Sequence, residues 1–234
     1  MTTPPALPPP AASAAAFDFV ASLRVVTDDP AWLRKLLVGS LVTLFGILVL
    51  PLPLLIGYQL RVVRNTARGD ARPIPEWEDW GGLFMDGLRV LALIIPHQLA
   101  FMLAVGAPFA AIVLGGAALG DNAGPLVMLL LLPLGLLTVA AALVFAGYVQ
   151  VAQIRLAVTD NLGAAFDFAA NAAFLRRSII PLLLAFGVLL VTNFVAQFGV
   201  LLCCVGLIPA TLWSQIAFHH GLGQVARLGA APKA

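Results

Sequence analysis

The chain has 234 residues, of which 61% are hydrophobic and only 10% are charged. Soluble domains carry roughly 25% charged residues, so this composition excludes an ordinary soluble globular protein. The mean hydropathy of +1.01 points the same way. A formal net charge of +2 is too small for the basic surface of a nucleic-acid-binding protein, and we expect no nucleic-acid partner.

The first 16 residues are rich in proline and alanine. They lack the basic start and the uninterrupted apolar run of a signal peptide. We therefore expect residues 1–16 to form a disordered cytoplasmic tail. One integral membrane domain is expected to follow over residues 17–230.

Five apolar runs follow, at residues 36–58, 90–119, 125–158, 179–203 and 205–218. A helix needs roughly 20 apolar residues to cross a bilayer. The thirteen basic residues fall in four stretches between or at the ends of the runs: Arg24, Arg34 and Lys35; Arg61, Arg64, Arg68, Arg72 and Arg89; Arg155, Arg176 and Arg177; Arg227 and Lys233. Because cytoplasmic loops retain basic residues, all four stretches are predicted to face the cytoplasm. Ten of the eleven acidic residues share or border these stretches, and only Asp121 lies in a predicted outer loop.

The first run, at residues 36–58, allows two paths, a single crossing or a hairpin. One crossing would place Arg61 and Arg64 opposite Arg34 and Lys35, against the positive-inside rule. We therefore predict a short hairpin that turns at residues 51–53, and the pattern leaves open whether it crosses the bilayer or dips into it.

Two further hairpins are predicted, turning at residues 120–124 and around residues 199–206. The expected fold is an all-α polytopic membrane bundle of three helical hairpins. It would have six membrane helices, the first pair short, with interfacial amphipathic helices. Both termini would be cytoplasmic, in a protein of the cytoplasmic membrane.

A weak internal repeat supports three units. An aromatic–acid–aromatic cluster precedes each hairpin: Phe17-Asp18-Phe19, Trp77-Glu78-Asp79-Trp80 and Phe166-Asp167-Phe168. A Gly-Tyr pair followed by an arginine ends the first two hairpins, with Arg64 in one and Arg155 in the other. Each unit is interpreted as an interfacial helix, a hairpin and a polar exit.

The segment from Arg61 to Gly87 holds the densest pattern. Arg61, Arg64 and Arg68 share one helical face, and Gly69 is suited to end that helix. Pro75 favours the first turn of a new helix.

Two faces of that second predicted helix differ in chemistry. By the rotation of 100° per residue, an aromatic stripe and an acidic side separate. The aromatic stripe comprises Trp77, Trp80 and Phe84, and the acidic side comprises Glu76, Asp79 and Asp86. We expect an interfacial amphipathic helix whose tryptophans lie at headgroup level.

Three runs in this region resemble a known family. They are AWLRKLLVG (31–39), GYQLRVVR (57–64) and PEWEDWGGLFMDGL (75–88). The chain is similar there to the uncharacterised prokaryotic membrane family called domain of unknown function 4013, with Glu78 where aspartate is commoner. The resemblance implies an integral membrane protein of several helices, and it implies no activity.

Three roles for this inner-face motif remain open. The arginines can pair with Glu76, Asp79 and Asp86 across the loop and fix two helices, although exposed pairs contribute only about 0–1 kcal/mol each. They can instead bind anionic lipid headgroups while the tryptophans anchor the helix. A protein partner could also dock on the acidic side.

Few polar residues lie deep in the apolar runs. His97, Asn193, Gln197 and Gln215 are the candidates for a membrane-embedded polar path. We expect His97 to bond a neighbouring helix or a carbonyl freed by Pro96, and the amides to form interhelical hydrogen bonds. The adjacent pair Cys203–Cys204 is interpreted as two small apolar residues, with a strained disulfide or a metal site as the alternative.

No pattern of nucleophile and base, paired carboxylates, phosphate loop or metal ligands is present in the sequence. We therefore expect no enzyme, no cofactor and no metal. The leading hypothesis is a non-catalytic interaction, lipid-organising or membrane-shaping component. Its partners would be membrane lipids, anionic ones included, a membrane protein or a second copy. The alternative is an uncoupled transporter, channel or lipid scramblase with a path between hairpins past His97 and Asn193.

Overall fold

The computed structural model describes residues 16–46, 51–120, 123–201 and 206–230, and within them it is helical with no strand. Expectations for the tail up to residue 15, for Asp121 and for Cys203–Cys204 lie outside the described residues. So do the centres of the second and third predicted turns, whereas residues 51–53, predicted as the first turn, form the start of α3. The α-helices are α1 (Phe19–Arg24), α2 (Trp32–Phe45), α3 (Leu52–Arg68), α4 (Trp80–Ala118), α5 (Gly124–Thr159), α6 (Leu162–Ala165), α7 (Phe168–Arg177), α8 (Ile179–Gln197) and α9 (Leu207–Ala230).

Three helical segments are long and apolar enough to cross a membrane. They are α4 with 39 residues, α5 with 36, and α8 with its 3-10 extension to Leu201, which together make 23. The most apolar windows of these segments have mean hydropathies of 2.1, 2.6 and 2.4. The all-helical class is thus confirmed, with three candidate membrane spans.

The aromatic–acid–aromatic clusters begin three of the helices. Asp18 Oδ1 accepts a hydrogen bond from the Ala21 amide at 2.8 Å, and α1 follows. Asp79 caps α4 through the Gly82 amide at 3.0 Å, and Asp167 caps α7 through the Ala170 amide at 3.0 Å. The repeat therefore has a local cause, since an aspartate at this position satisfies a free amide of the first turn.

Between α3 and α4 the sequence predicted one helix end correctly and one helix start incorrectly. Gly69 ends α3 with φ 82° in the left-handed region, as expected. A helix from Pro75, however, is wrong, because residues 71–79 are not helical and α4 begins at Trp80. The helix starts late because Asp79 provides its N-cap. Before that cap, Lys35 Nζ donates to the Ile74 carbonyl oxygen at 2.8 Å.

The buried core lies at the charged end of the molecule. Helices α3 and α9 are central, and α3 packs against α4 and α9 most extensively. The backbones of α3 and α4 approach closely, since a Cβ at Gly57 would collide with the Leu83 carbonyl oxygen and one at Gly87 with that of Pro53. Glycine is required at both positions because no side chain fits between the two backbones.

Away from this core, α4 and α5 contact little but each other. Phe101 and Phe145 stack with ring centroids 4.3 Å apart. Leu114 and Leu132, by contrast, are 69% and 72% exposed. An apolar surface of this kind fits a hydrocarbon environment and would be unstable in water.

Candidate functional site

A buried carboxylate, Asp86, organises the charged end. It lies in the second turn of α4 and is 6% exposed. Arg61 Nε donates to its Oδ2 at 2.8 Å, and Arg64 Nη1 lies 3.3 Å from the same oxygen. Arg89 approaches Oδ1 at 3.7 Å. Because Arg61 and Arg64 belong to α3, Asp86 joins α3 to α4.

Asp160 extends this network to α5. It is the residue after α5 and has φ 52°, in the left-handed region that aspartate tolerates better than most residues. Its Oδ1 accepts from Arg64 Nη2 and Arg89 Nη1, each at 3.0 Å. Arg64 Nε also donates to the Ala157 carbonyl oxygen at 3.2 Å. Three helices are therefore tied through two carboxylates.

Asp79 has two partners at the start of α4. Its Oδ1 caps the helix, and its Oδ2 accepts from Arg61 Nη2 at 2.8 Å. The Arg61 hydrogen bond, followed by that of the Gly82 amide, lowers the pKa of the Asp79 carboxyl below its ordinary value. Asp79 therefore stays ionised through the near-neutral range.

A second ion-pair network surrounds Lys35, which is 4% exposed. Its Nζ donates to Asp29 Oδ2 at 2.7 Å and to the Ile74 carbonyl oxygen at 2.8 Å, and it lies 3.0 Å from Glu76 Oε1. Glu76 also pairs with Arg34. Glu76 thus pairs with α2 and not with the arginines of α3, in contrast to the predicted pairing across the loop.

The predicted aromatic stripe is divided between core and surface. Trp77 is 8% exposed, stacks on Tyr58 at 4.1 Å with an interplanar angle of 9°, and donates Nε1–H to the Lys35 carbonyl oxygen at 3.0 Å. Trp80 remains 42% exposed, and Phe84 is partly buried. The single stripe expected from helical spacing is wrong because Trp77 precedes the helix.

The three arginines of the predicted face also have different environments. Arg61 and Arg64 bind the acids described above, whereas Arg68 is exposed and makes no ion pair within the described part of the chain. Two of the three are therefore engaged in holding helices together.

The three capping clusters are each contacted by one of the helices α3, α5 and α9. Helix α3 holds the second cluster through Arg61 and Asp79. Helix α5 holds the third, with Arg155 Nη2 at 3.6 Å from Asp167 Oδ2. Helix α9 holds the first, where Gln224 Oε1 accepts from the Asp18 amide at 2.7 Å and Gln224 Nε2 donates to the Asp18 carbonyl oxygen at 2.8 Å. Helix α9, near the end of the chain, therefore contacts the cluster nearest its start.

His97 bonds within its own helix and packs against aromatic rings. Its Nδ1–H donates to the Leu93 carbonyl oxygen at 2.7 Å. The ring centroid lies 5.0 Å from that of Phe166 and 5.7 Å from that of Tyr148. The carbonyl it binds is that of Leu93, whereas the one freed by Pro96 belongs to Ala92.

Helices α8 and α9 are joined by a hydrogen bond that the sequence analysis missed. Thr192 Oγ1 and Ser214 Oγ, both buried, lie 2.7 Å apart. Their neighbours Asn193 and Gln215 are only partly buried, and Gln197 is exposed. Because burial follows the helical phase, the shorter hydroxyls face the partner helix and the larger amides do not.

Metal ligands are not grouped within the described ranges: no three His, Cys, Asp or Glu side chains there lie close enough to hold an ion together.

A family profile described as "Protein of unknown function (DUF4013)" matches residues 40–205. The chain belongs to this family. The match includes the runs at 57–64 and 75–88 and begins just after the run at 31–39. No curated protein and no solved structure matches the chain significantly.

Replacing Asp86 with Asn removes the buried carboxylate that Arg61 and Arg64 share, and leaves them only the more exposed Asp79 and Asp160 as counter-charges. We expect the free energy of unfolding to fall by about 2 kcal/mol, in the range for a lost hydrogen bond to a charged group. Unfolding in detergent, followed by circular dichroism against denaturant, measures it. The control is Asp160→Asn, whose carboxylate side chain is 61% exposed and whose loss should cost under about 1 kcal/mol. Equal losses in the two variants would contradict the central role of Asp86.

Proposed function

We propose that the protein is a non-catalytic, multi-pass component of the cytoplasmic membrane that contacts anionic lipids at its inner face and organises lipid around itself. The observation that supports this most is the separation of an ion-paired, charged base from a belt of exposed apolar helices. Such a base suits the inner membrane surface, where basic residues are retained and anionic headgroups lie.

The proposed topology has three hairpins with both termini in the cytoplasm. Helices α4 and α5 form the second hairpin, and α8 with α9 forms the third. The first is short, because the part of α2 from Lys35 to Phe45 and the part of α3 from Leu52 to Arg61 are each only about 15 Å long. That is half of the roughly 30 Å hydrocarbon core. Exposed Phe45 and Leu52 near its tip fit an end inside the lipid.

Cysteine labelling tests this topology. In a Cys203→Ser, Cys204→Ser background, a membrane-impermeant maleimide added to intact cells should label Gly124→Cys at the outer turn. Glu78→Cys should react only after the membrane is opened, and Pro51→Cys only after denaturation in detergent. Labelling of Pro51→Cys from outside would show a full crossing of the first hairpin, and labelling of Glu78→Cys from outside would contradict the orientation.

The twelve basic residues that the structure describes divide evenly between ion-paired and exposed, unpaired side chains. Arg34, Lys35, Arg61, Arg64, Arg89 and Arg155 make ion pairs. Six others make none within the described residues: Arg24, Arg68, Arg72, Arg176, Arg177 and Arg227. Lipid contact is therefore better assigned to this second group than to Arg61 and Arg64, whose charges are already neutralised. Each basic residue near an anionic surface contributes about 1 kcal/mol of attraction.

The acids of the motif are similarly engaged, which weakens their candidacy as reactive groups. Asp79 and Asp86 bind arginines, and Glu76 binds Arg34 and Lys35. Carboxylate oxygens that already accept from guanidinium or ammonium groups are less available to a substrate. These contacts support a structural base better than general acid–base chemistry.

Native mass spectrometry of the protein released under mild conditions from its own membrane tests the lipid function. We expect stoichiometric anionic lipid to remain bound at collision energies that strip zwitterionic lipid. A protein released without lipid, or with both lipid classes lost together, would contradict the proposal and favour the transport alternative.

A further inference from the structure

Two adjacent arginines, Arg176 and Arg177, end α7 directly before α8 begins. Both are exposed, and neither makes an ion pair within the described part of the chain. The Arg177 guanidinium carbon lies 4.9 Å from the ring centroid of Phe174, which is itself buried. This contact holds one arginine head against the protein surface by cation–π attraction.

An exposed apolar surface continues from these arginines along α8. Ile179 and Ile180 are 52% and 69% exposed, and Leu183 is 63% exposed one turn further on. Since α8 is a candidate membrane span, the arginines lie where a headgroup would be. The side chains above them lie where its acyl chains would run.

The other unpaired arginines lack this arrangement. No large hydrophobic residue between Pro53 and Asp79 is strongly exposed, so Arg68 and Arg72 have no apolar surface beside them in sequence. The same holds for Arg227 over the described part of α9. Arg24 has one such neighbour, Val20 at 52% exposure, in a helix of only six residues.

We propose that Arg176 and Arg177 form a binding site for the phosphate of an anionic glycerophospholipid, whose chains lie along Ile180 and Leu183. The site rests on the proposed function and names the lipid class and the residues that bind it. Two positive charges without acidic partners favour a lipid with net negative charge over a zwitterionic one.

The test compares double variants reconstituted with phosphatidylglycerol or phosphatidylcholine and analysed by native mass spectrometry for bound lipid. Wild type should prefer phosphatidylglycerol. Arg176→Gln with Arg177→Gln should weaken that preference on the order of 30-fold, as expected for two basic residues. Arg176→Lys with Arg177→Lys should keep most of it, because the charges remain. The control Arg68→Gln with Arg72→Gln removes the same net charge and should lose clearly less of the preference, because no strongly exposed large hydrophobic residue lies beside those arginines in sequence.

Each contrary outcome has a separate meaning. Wild type without a preference would overturn the site and the lipid function together. A preference that survives in the Arg176/Arg177 glutamine variant would overturn the site alone. An equal loss in the Arg68/Arg72 control would overturn the site as well, because net charge would then suffice.

Discussion

The carboxylate of Asp86 is the constraint on which the charged end of the molecule depends. It is buried against α3, where glycines let the α3 and α4 backbones touch, and two arginines of α3 neutralise it. A buried carboxylate without such partners would cost several kcal/mol. Close backbone packing and ion pairing therefore require each other: the glycines bring the helices together, and the arginines make the burial of the charge tolerable.

Contacts between a helix and an aspartate-capped cluster recur at three places, with different residues. Helices α3 and α5 each contact the next aspartate-capped cluster along the chain, and α9 contacts the first one. Arginine serves at two of these contacts and Gln224 at the third. These three contacts lie at the same charged end as the buried core. The apolar outer halves of α4 and α5 need no such core, since lipid can cover them.

Features of the fold and the site that depend on nearby residues could be predicted from the sequence, whereas those that depend on contacts between distant parts of the chain could not. The helical class, three of the predicted membrane spans, the end of α3 at Gly69 and the family depend on composition, length and local sequence, and these predictions are confirmed. The helix start at Pro75 was predicted from the preference of proline for the first turn of a helix. Contacts from α2, forty residues earlier in the chain, outweigh that preference. Burial of Trp77 follows from that same displacement. The partners of Glu76, and the use of Thr192 and Ser214 instead of Asn193 and Gln215, depend on helix rotation and chain topology, which single-residue spacing does not reveal. One contact of Asp86 could have been predicted from the sequence. Arg89 stands three residues after Asp86, a spacing typical of helical ion pairs.

We propose that Arg61 and Arg64, unlike Arg68, serve the fold and not a lipid site. A double-mutant cycle between Arg61 and Asp86 tests it most directly, using Arg61→Gln, Asp86→Asn and the double variant, with unfolding free energies measured in detergent. We predict a coupling of at least about 1.5 kcal/mol, within the range for residues in direct contact in one network. Additive effects within about 0.5 kcal/mol would contradict the account.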